Sequence, residues 1–482
     1  MALAPRAIDS TPFETAAAVL APSTQDWTWT DPAGPTPAAL RLLSTLRAAP
    51  AEGLDPDRYR IAQIEEELSG PFDRVSRARV ERLFAEAFQA YARDLRVPRG
   101  SASVTYIDSE LAPVPPDAQS LLASADPVEL LQSLQETNPI YEGLRDGLAW
   151  YRSHWSKLPQ IAIPPGPALA RGSRGARVAL LRQRLGLPLN GADPERFDEE
   201  LARAVEEFRQ VHGLAPRPIA DRETLDALNA GAGHYEQLIV GNMDRARVFP
   251  ADGRRYVVVD TAGATLRLIE DGREVDSMRA IVGKPDMETP ELAGLIRFAV
   301  VDPYWNVPPD LVRQSIAPQV LREGAAVLER RRLALFPNWR SYTRLDAAEV
   351  DWAAVADGRE SVWVRQLPGG DNMMGEVKFM LPNRLGIYLH DTPNKSDFTR
   401  ADRRLSSGCV RVEDARRLAL WLFQGRQILD GDGAPDRRIY VPEPVPVFIT
   451  YLTAVPVSGE LRFQKDHYGR DRALIARLAT RA

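Results

Sequence analysis

A multidomain α+β architecture is what this 482-residue chain predicts: a helical N-terminal scaffold, a small three-helix module, and a mainly-β domain interrupted by a helical insertion. Three observations carry that reading. In the first half, apolar residues recur at three- and four-residue steps, the spacing of one helix face. From about residue 236 they give way to short β-branched runs bounded by turn residues. The length, at about one domain per 150 residues, fits three domains.

Composition narrows the class. An apolar fraction of 44% with 26% charged residues is that of a globular protein. A net charge of −5 and a pI near 5.8 give no electrostatic footprint for nucleic acid. Arg330-Arg331-Arg332 after Glu329 reads as a solvated helix face. No run approaches the roughly 18 apolar residues of a membrane helix. The start, Met1-Ala2-Leu3-Ala4-Pro5-Arg6, lacks a basic segment followed by a sustained apolar one.

Residues 1–36, rich in Ala, Pro, Thr and Ser, read as a leader or linker. Residues 37–160 form the helical scaffold. Pro37 opens a helix to Leu46, and Asp55-Pro56-Asp57 opens another toward Leu68. Ser76 to Leu95 carries Val80, Leu83, Phe84, Phe88, Tyr91 and Leu95 on one face. Helices follow at Pro127–Gln135 and at 140–156, where His154 reads as a packing or surface residue. A Pro-rich connector, Leu158 to Pro167, leads to the module at 168–234. There Leu201, Ala204, Val205 and Phe208 make a helical stripe and Asp221 is placed to cap the last helix.

The domain at 236–482 opens with strands Tyr256–Asp260 and Thr265–Ile269. Asp271-Gly272 is a hairpin signal before Val275–Val282, and Ile296–Val301 continues the sheet. Residues 309–361 interrupt it; Leu311 to Leu335 reads helical, with breaks at Pro318 and Gly324. Strands resume at Ser361–Arg365, Val377–Met380 and Leu385–Leu389, the last running into His390. Glu413–Phe423 reads as a helix, and Val445–Leu452 as a strand.

Cys409 is the only cysteine, and it lies 409 − 390 = 19 positions after His390. A cysteine nucleophile needs a base for its proton and backbone N–H groups for an oxyanion. A lone cysteine is also commonly a small buried hydrophobe, and both readings stand on spacing alone. Ser406-Ser407-Gly408 reads as a loop, which favours the nucleophile. The five histidines are scattered and neither HExxH nor CxxC occurs, so no metal or cofactor is expected.

His390-Asp391-Thr392-Pro393 followed by Ser406-Ser407-Gly408-Cys409-Val410-Arg411-Val412 closely resembles the L,D-transpeptidase (YkuD-type) catalytic domain, in its large YcbB-like branch. Arg365-Gln366, Pro368-Gly369, Asn372, Gly375, Lys378-Phe379 and Pro382-Asn383 match that branch ahead of the histidine, and Val300 to Pro308 and Tyr468 to Asp471 match it elsewhere. Many family members carry His where this chain has Ser407, which leaves His390 as the base.

The resemblance implies Cys409 as nucleophile, His390 as base, the Asp391 main-chain carbonyl as orienter of the ring, and the Gly408 and Cys409 N–H groups as the oxyanion hole. Cys409 would sit just ahead of a helix N-terminus. Arg411 is open to two roles, holding a substrate carboxylate or anchoring its loop by a salt bridge. Tyr388, Ser407, Trp305 and Asn383 are expected to line the cleft, and 309–361 to cover it as a lid. His467, in the C-terminal tail, is expected to be structural. The 168–234 module resembles a peptidoglycan-binding domain, departing from it where Pro218-Ile219-Ala220-Asp221 replaces a customary Gly. The implied partners are donor and acceptor peptidoglycan tetrapeptide stems and carbapenem-type inhibitors. The implied reaction is 3→3 cross-linking through a cysteine thioester in the periplasm, so a signal peptide or membrane anchor is expected to have been removed or replaced by the initial Met. Protein attachment to peptidoglycan, hydrolysis of such links, and a noncatalytic wall-binding scaffold are the alternatives.

Overall fold

The computed structural model describes residues 27–100, 104–117, 120–122, 126–189, 193–341, 343–430 and 434–480. Two compact units account for them, one from the described parts of 1–47, 56–91 and 117–131, the other from 48–55, 92–116 and 132–482.

The first unit is helical. Proline starts the Pro37–Arg47 helix, which turns Leu42, Leu43 and Leu46 inward. Arg60 takes a left-handed conformation (φ 52°), so the helix expected from Asp55 divides into a 3-10 turn, Pro56–Tyr59, and the α-helix Ile61–Ser69. Val80, Leu83, Phe84, Phe88 and Tyr91 of the Arg74–Arg96 helix are buried as their spacing predicts. The expected leader needs correction over residues 27–36. Thr30–Asp31 pairs with Gly34–Pro35 there, and Trp29 packs on Phe84 and Phe88 with ring centroids 6.2 and 5.4 Å away. Glu81 accepts the N–H groups of Thr28 and Trp29. The rest of that leader, residues 1–26, lies outside the described residues.

In the second unit, helices Ala176–Arg184, Glu199–Val211 and Arg222–Ala230 make up the small module. Asp221 caps the last of them by accepting the Thr224 N–H. The Pro218–Asp221 turn closes the module, since Ile219–Ala220 pairs with Leu169–Ala170. Leu201, Val205 and Phe208 are buried, whereas Ala204 is only partly so. The strands begin later than expected: Ala232–Ala246 is a helix, burying Leu238, Ile239 and Met243. One core joins the module to this helix, to Pro139–His154 and to the hairpin Ala454–Val457/Glu460–Phe463. His154 is exposed and stacks on Trp150.

The main sheet closes on itself. In ring order its strands are Val377–Met380, Leu389–His390, Val410–Val412, Arg273–Gly283, Thr265–Glu270, Tyr256–Asp260, Arg437–Thr450 and Leu292–Val301, and the last pairs back to the first. Asp271 and Gly272 both have positive φ (51° and 70°), the two-residue turn that suits the twist of a hairpin. The ring interior is filled by Val257, Leu266, Ala280, Val301, Phe379, Leu389 and Val410, among others.

The insertion is a subdomain with its own core of Val312, Ile316, Val320, Leu328, Leu335, Trp352 and Val355. Pro318 does not break its helix. The chain stays helical from Pro309 to Glu323, with a π turn over Val312–Ile316 just ahead of the proline, and Gly324 ends the run at φ 81°. The expected helix also stops short. Leu333–Phe336 is a strand, paired with Trp363–Gln366, which in turn pairs with Trp305–Asn306.

Candidate active site

Strand pairing brings His390 beside Cys409. Leu389 and His390 lie beside Val410 and Arg411 in parallel register, and the Val410 N–H donates to Tyr388 O one step earlier. Leu389 and Val410 face the core, so alternation sends Tyr388, His390, Cys409 and Arg411 to the outer face. The strand expected over 385–389 is only Leu389–His390. The turn before it is held by Asn383, which donates to Leu381 O and Ile387 O and accepts the Ile387 N–H. Asn383 therefore shapes the loop.

His390 is 2% exposed and its Nδ1–H donates to Asp391 O at 2.6 Å, which leaves Nε2 as the acceptor. Burial, aided by the Arg411 cation, lowers its pKa to about 3, so the ring is neutral at physiological pH. The Asp391 carbonyl is itself fixed. One carboxylate oxygen accepts the Glu376 N–H at 2.9 Å and the other meets Lys395 at 2.6 Å. A Cβ on Gly375 would stand 2.1 Å from Asp391 Oδ2, so only glycine fits beside it.

The Cys409 sulfur faces Gly386 O at 3.5 Å and makes no hydrogen bond to His390 in this arrangement. Burial raises the thiol pKa, opposed by interaction with Tyr388. Two hydroxyls clamp the loop. Ser406 Oγ donates to Cys409 O at 2.6 Å and accepts the Gly408 N–H at 3.2 Å. Thr289 Oγ1 donates to Gly408 O at 2.8 Å and accepts the Gly283 N–H at 2.9 Å. Gly408 sits at φ 113°, which a side chain would strain. Its N–H, one of the two expected to serve an oxyanion, is donated to Ser406 Oγ in this arrangement.

Among the described residues Arg411 forms no ion pair, and its Nε is a buried donor without a partner, so the loop-anchoring salt bridge is absent. Ser407 is exposed at the loop. Trp305 pairs with Gln366 and packs on the insertion core. Nor does a helix end point at the thiol. Strand Val410–Val412 intervenes, and Asp414 caps the helix Ala415–Leu422. A cleft of about 760 Å³ is lined by Asp391, Lys395, Glu376 and Arg416, among others, and by no insertion residue. Sequence reasoning missed the roles of Thr289 and Ser406; the only local signal was hydroxyls flanking glycines.

Residues 254–441 match the L,D-transpeptidase catalytic domain (YkuD), and residues 19–148 match the Scaffold domain family. The chain carries an L,D-transpeptidase catalytic domain. A Haemophilus influenzae protein named "Putative L,D-transpeptidase" is 32% identical over 275 residues, 55% of each chain, so the match spans about half the length of that relative. An L,D-transpeptidase from Mycobacterium smegmatis is 13% identical with a TM-score of 0.20, over 41% of this chain and 58% of that one. The L,D-transpeptidase of Xylanimonas cellulosilytica is 16% identical with a TM-score of 0.19, over 59% and 98%. Within the L,D-transpeptidase domain fall Tyr388, His390, Asp391, Gly408, Cys409 and Arg411, the whole outer-face cluster. No helix among the described residues is long and apolar enough to cross a membrane.

Proposed function

We propose that this transpeptidase domain forms 3→3 cross-links in peptidoglycan through a Cys409 thioester. The observation that carries the reading is the shared outer face of Cys409 and His390, with the ring held by Asp391 O so that Nε2 is free to accept a proton. Rotation about χ1 of Cys409 turns the sulfur from Gly386 O toward the imidazole. His390 takes the thiol proton, and the thiolate attacks the carbonyl after the L-centre of diaminopimelate in a donor tetrapeptide. The Cys409 N–H steadies the oxyanion. The C–N bond to D-alanine breaks, and its nitrogen takes the proton from the imidazolium. An acceptor diaminopimelate amine then attacks the thioester, gives its proton to His390, and releases the thiol. The site would act outside the cytoplasmic membrane, with the 168–234 module as a glycan-holding element. The same thiolate would open a carbapenem, a strained acyl donor.

Digestion of sacculi incubated with the protein tests this. Diaminopimelate–diaminopimelate dimers are expected. Products lacking them but carrying attached or released protein would move the reading to protein attachment or hydrolysis. A Cys409 that labels no faster than a free thiol, with no product at all, would leave a wall-binding scaffold.

A further inference from the structure

Register places two rows of side chains across the outer face of the ring. Arg411 is aligned with His390, His390 with Lys378, Lys378 with Val300, and Val300 with Arg438. Two positions along the strands, Met380 is aligned with Phe298 and Phe298 with Tyr440, continuing from Cys409 and Tyr388. Residues in register share a face, and the intervening Val377, Phe379, Ala299 and Val301 fill the core. One row is thus cationic around the catalytic histidine, and its neighbour is aromatic and apolar. At a strand spacing of about 4.8 Å, Lys378 lies roughly 10 Å and Arg438 roughly 19 Å from the strand that follows Cys409.

The cations of this row are poorly matched. The Lys378 side chain is only 16% exposed, and its ion-pair partner, Asp436, is 3.9 Å away and 41% exposed. His390, Arg365 and Arg438 are the other titratable or charged groups acting on or aligned with it, and both arginines add to the positive field. Arg438 lies over the Phe298 ring at 4.4 Å and, like Arg411, forms no ion pair among the described residues. Phe298 and Tyr440 stand 5.6 Å apart, and Tyr440 is 64% exposed. A desolvated ammonium with one long partner is costly until an anion reaches it.

We propose that this face is a substrate track, on which the stem peptide lies across the strands with its carboxylates on Arg411, Lys378 and Arg438 and its apolar parts on Phe298 and Tyr440. The choice of occupant rests on the cross-linking reading; the charge pattern alone specifies an extended polycarboxylate. Calorimetric titration of a stem tetrapeptide into the full chain bearing Cys409→Ala tests it without turnover. Lys378→Met and Arg438→Gln should each raise Kd about tenfold, the scale of one charge-assisted contact. Lys378→Arg should restore it, and a peptide with amidated carboxylates should bind weakly and lose nothing further on Lys378→Met. Equal binding by Lys378→Met and its parent, equal binding of the amidated peptide, or equal loss in Lys378→Met and Lys378→Arg would overturn the track. Assays of the Cys409-intact chain separate the two ideas. Charge-dependent binding without dimers removes the cross-linking reading and keeps the track; dimers from Lys378→Met at the parental KM remove the track alone.

Discussion

At the residue scale, the site depends on a few fixed protons. Cys409→Ala should abolish product and prevent the carbapenem adduct seen by intact-mass spectrometry, an unambiguous readout because no other thiol exists. An adduct that persists on the variant would sink the nucleophile. His390→Ala should cost about 10²–10⁴-fold, the usual worth of a positioned base, because Ser407 offers no second imidazole. The pH profile follows from the two shifts. His390 is held neutral down to about pH 3, so the acylation rate should show no inflection near pH 6.5. Because the thiol proton passes to His390 and not to solvent, the rate should stay level across neutral pH and change only above the ordinary thiol range, where the raised Cys409 itself ionises. A limb near pH 6.5 in the rate of carbapenem acylation would contradict this. Thr289→Val should leave the Gly283 N–H and the Gly408 carbonyl without their shared hydroxyl, slowing acylation about tenfold, or roughly 1.4 kcal/mol. Thr289→Ser should restore the rate. The placing of His390 beside the Cys409 loop, with its ring on the Asp391 carbonyl, was legible through the short motifs that carry the resemblance. Thr289 was not, since its contact joins residues 119 positions apart.

At the element scale, legibility tracks how local the cause is. The Ser76–Leu95 stripe and the Asp271-Gly272 turn depend on neighbours in sequence and came out as expected. Leu333–Phe336 was misread because an apolar run of that length fits helix or strand, and pairing with Trp363–Gln366 decides it. The same pairing bears on the insertion. It has its own core, but its sheet runs through Trp305–Asn306 and Trp363–Gln366, the strands at its two ends. Replacing residues 309–361 by a short loop should therefore keep the ring folded and raise donor KM if the insertion acts as a lid. Loss of the near-ultraviolet CD signal of the whole domain would show that it belongs to the core instead.

At the scale of the whole molecule, a histidine that drew no attention in the sequence becomes a structural centre. His212, at the end of Glu199–Val211, stacks on Phe208 and Phe463 at 3.9 and 5.5 Å and meets Tyr235 edge-on at 4.4 Å. Its Nδ1 donates to Phe208 O at 2.7 Å and its Nε2 meets the Tyr151 hydroxyl at 3.1 Å. One ring thus ties the small module to the helix Pro139–His154 and to the C-terminal hairpin. Burial lowers its pKa to about 3, as it does for His390. The unfolded chain binds these two protons below about pH 6.5, whereas the folded chain refuses them until about pH 3. Their contribution is therefore complete above pH 6.5 and is lost as pH falls through that window, at up to about 2.7 kcal/mol per pH unit for the pair. Denaturant midpoints between pH 6.5 and 5, before most carboxylates titrate, should fall steeply. His212→Phe keeps a ring in the aromatic cluster and removes one titration, so its stability should start lower at pH 7 but decline about half as fast. Parallel pH slopes for His212→Phe and the parent would show that His212 does not couple the module to the rest of the fold through its neutral state.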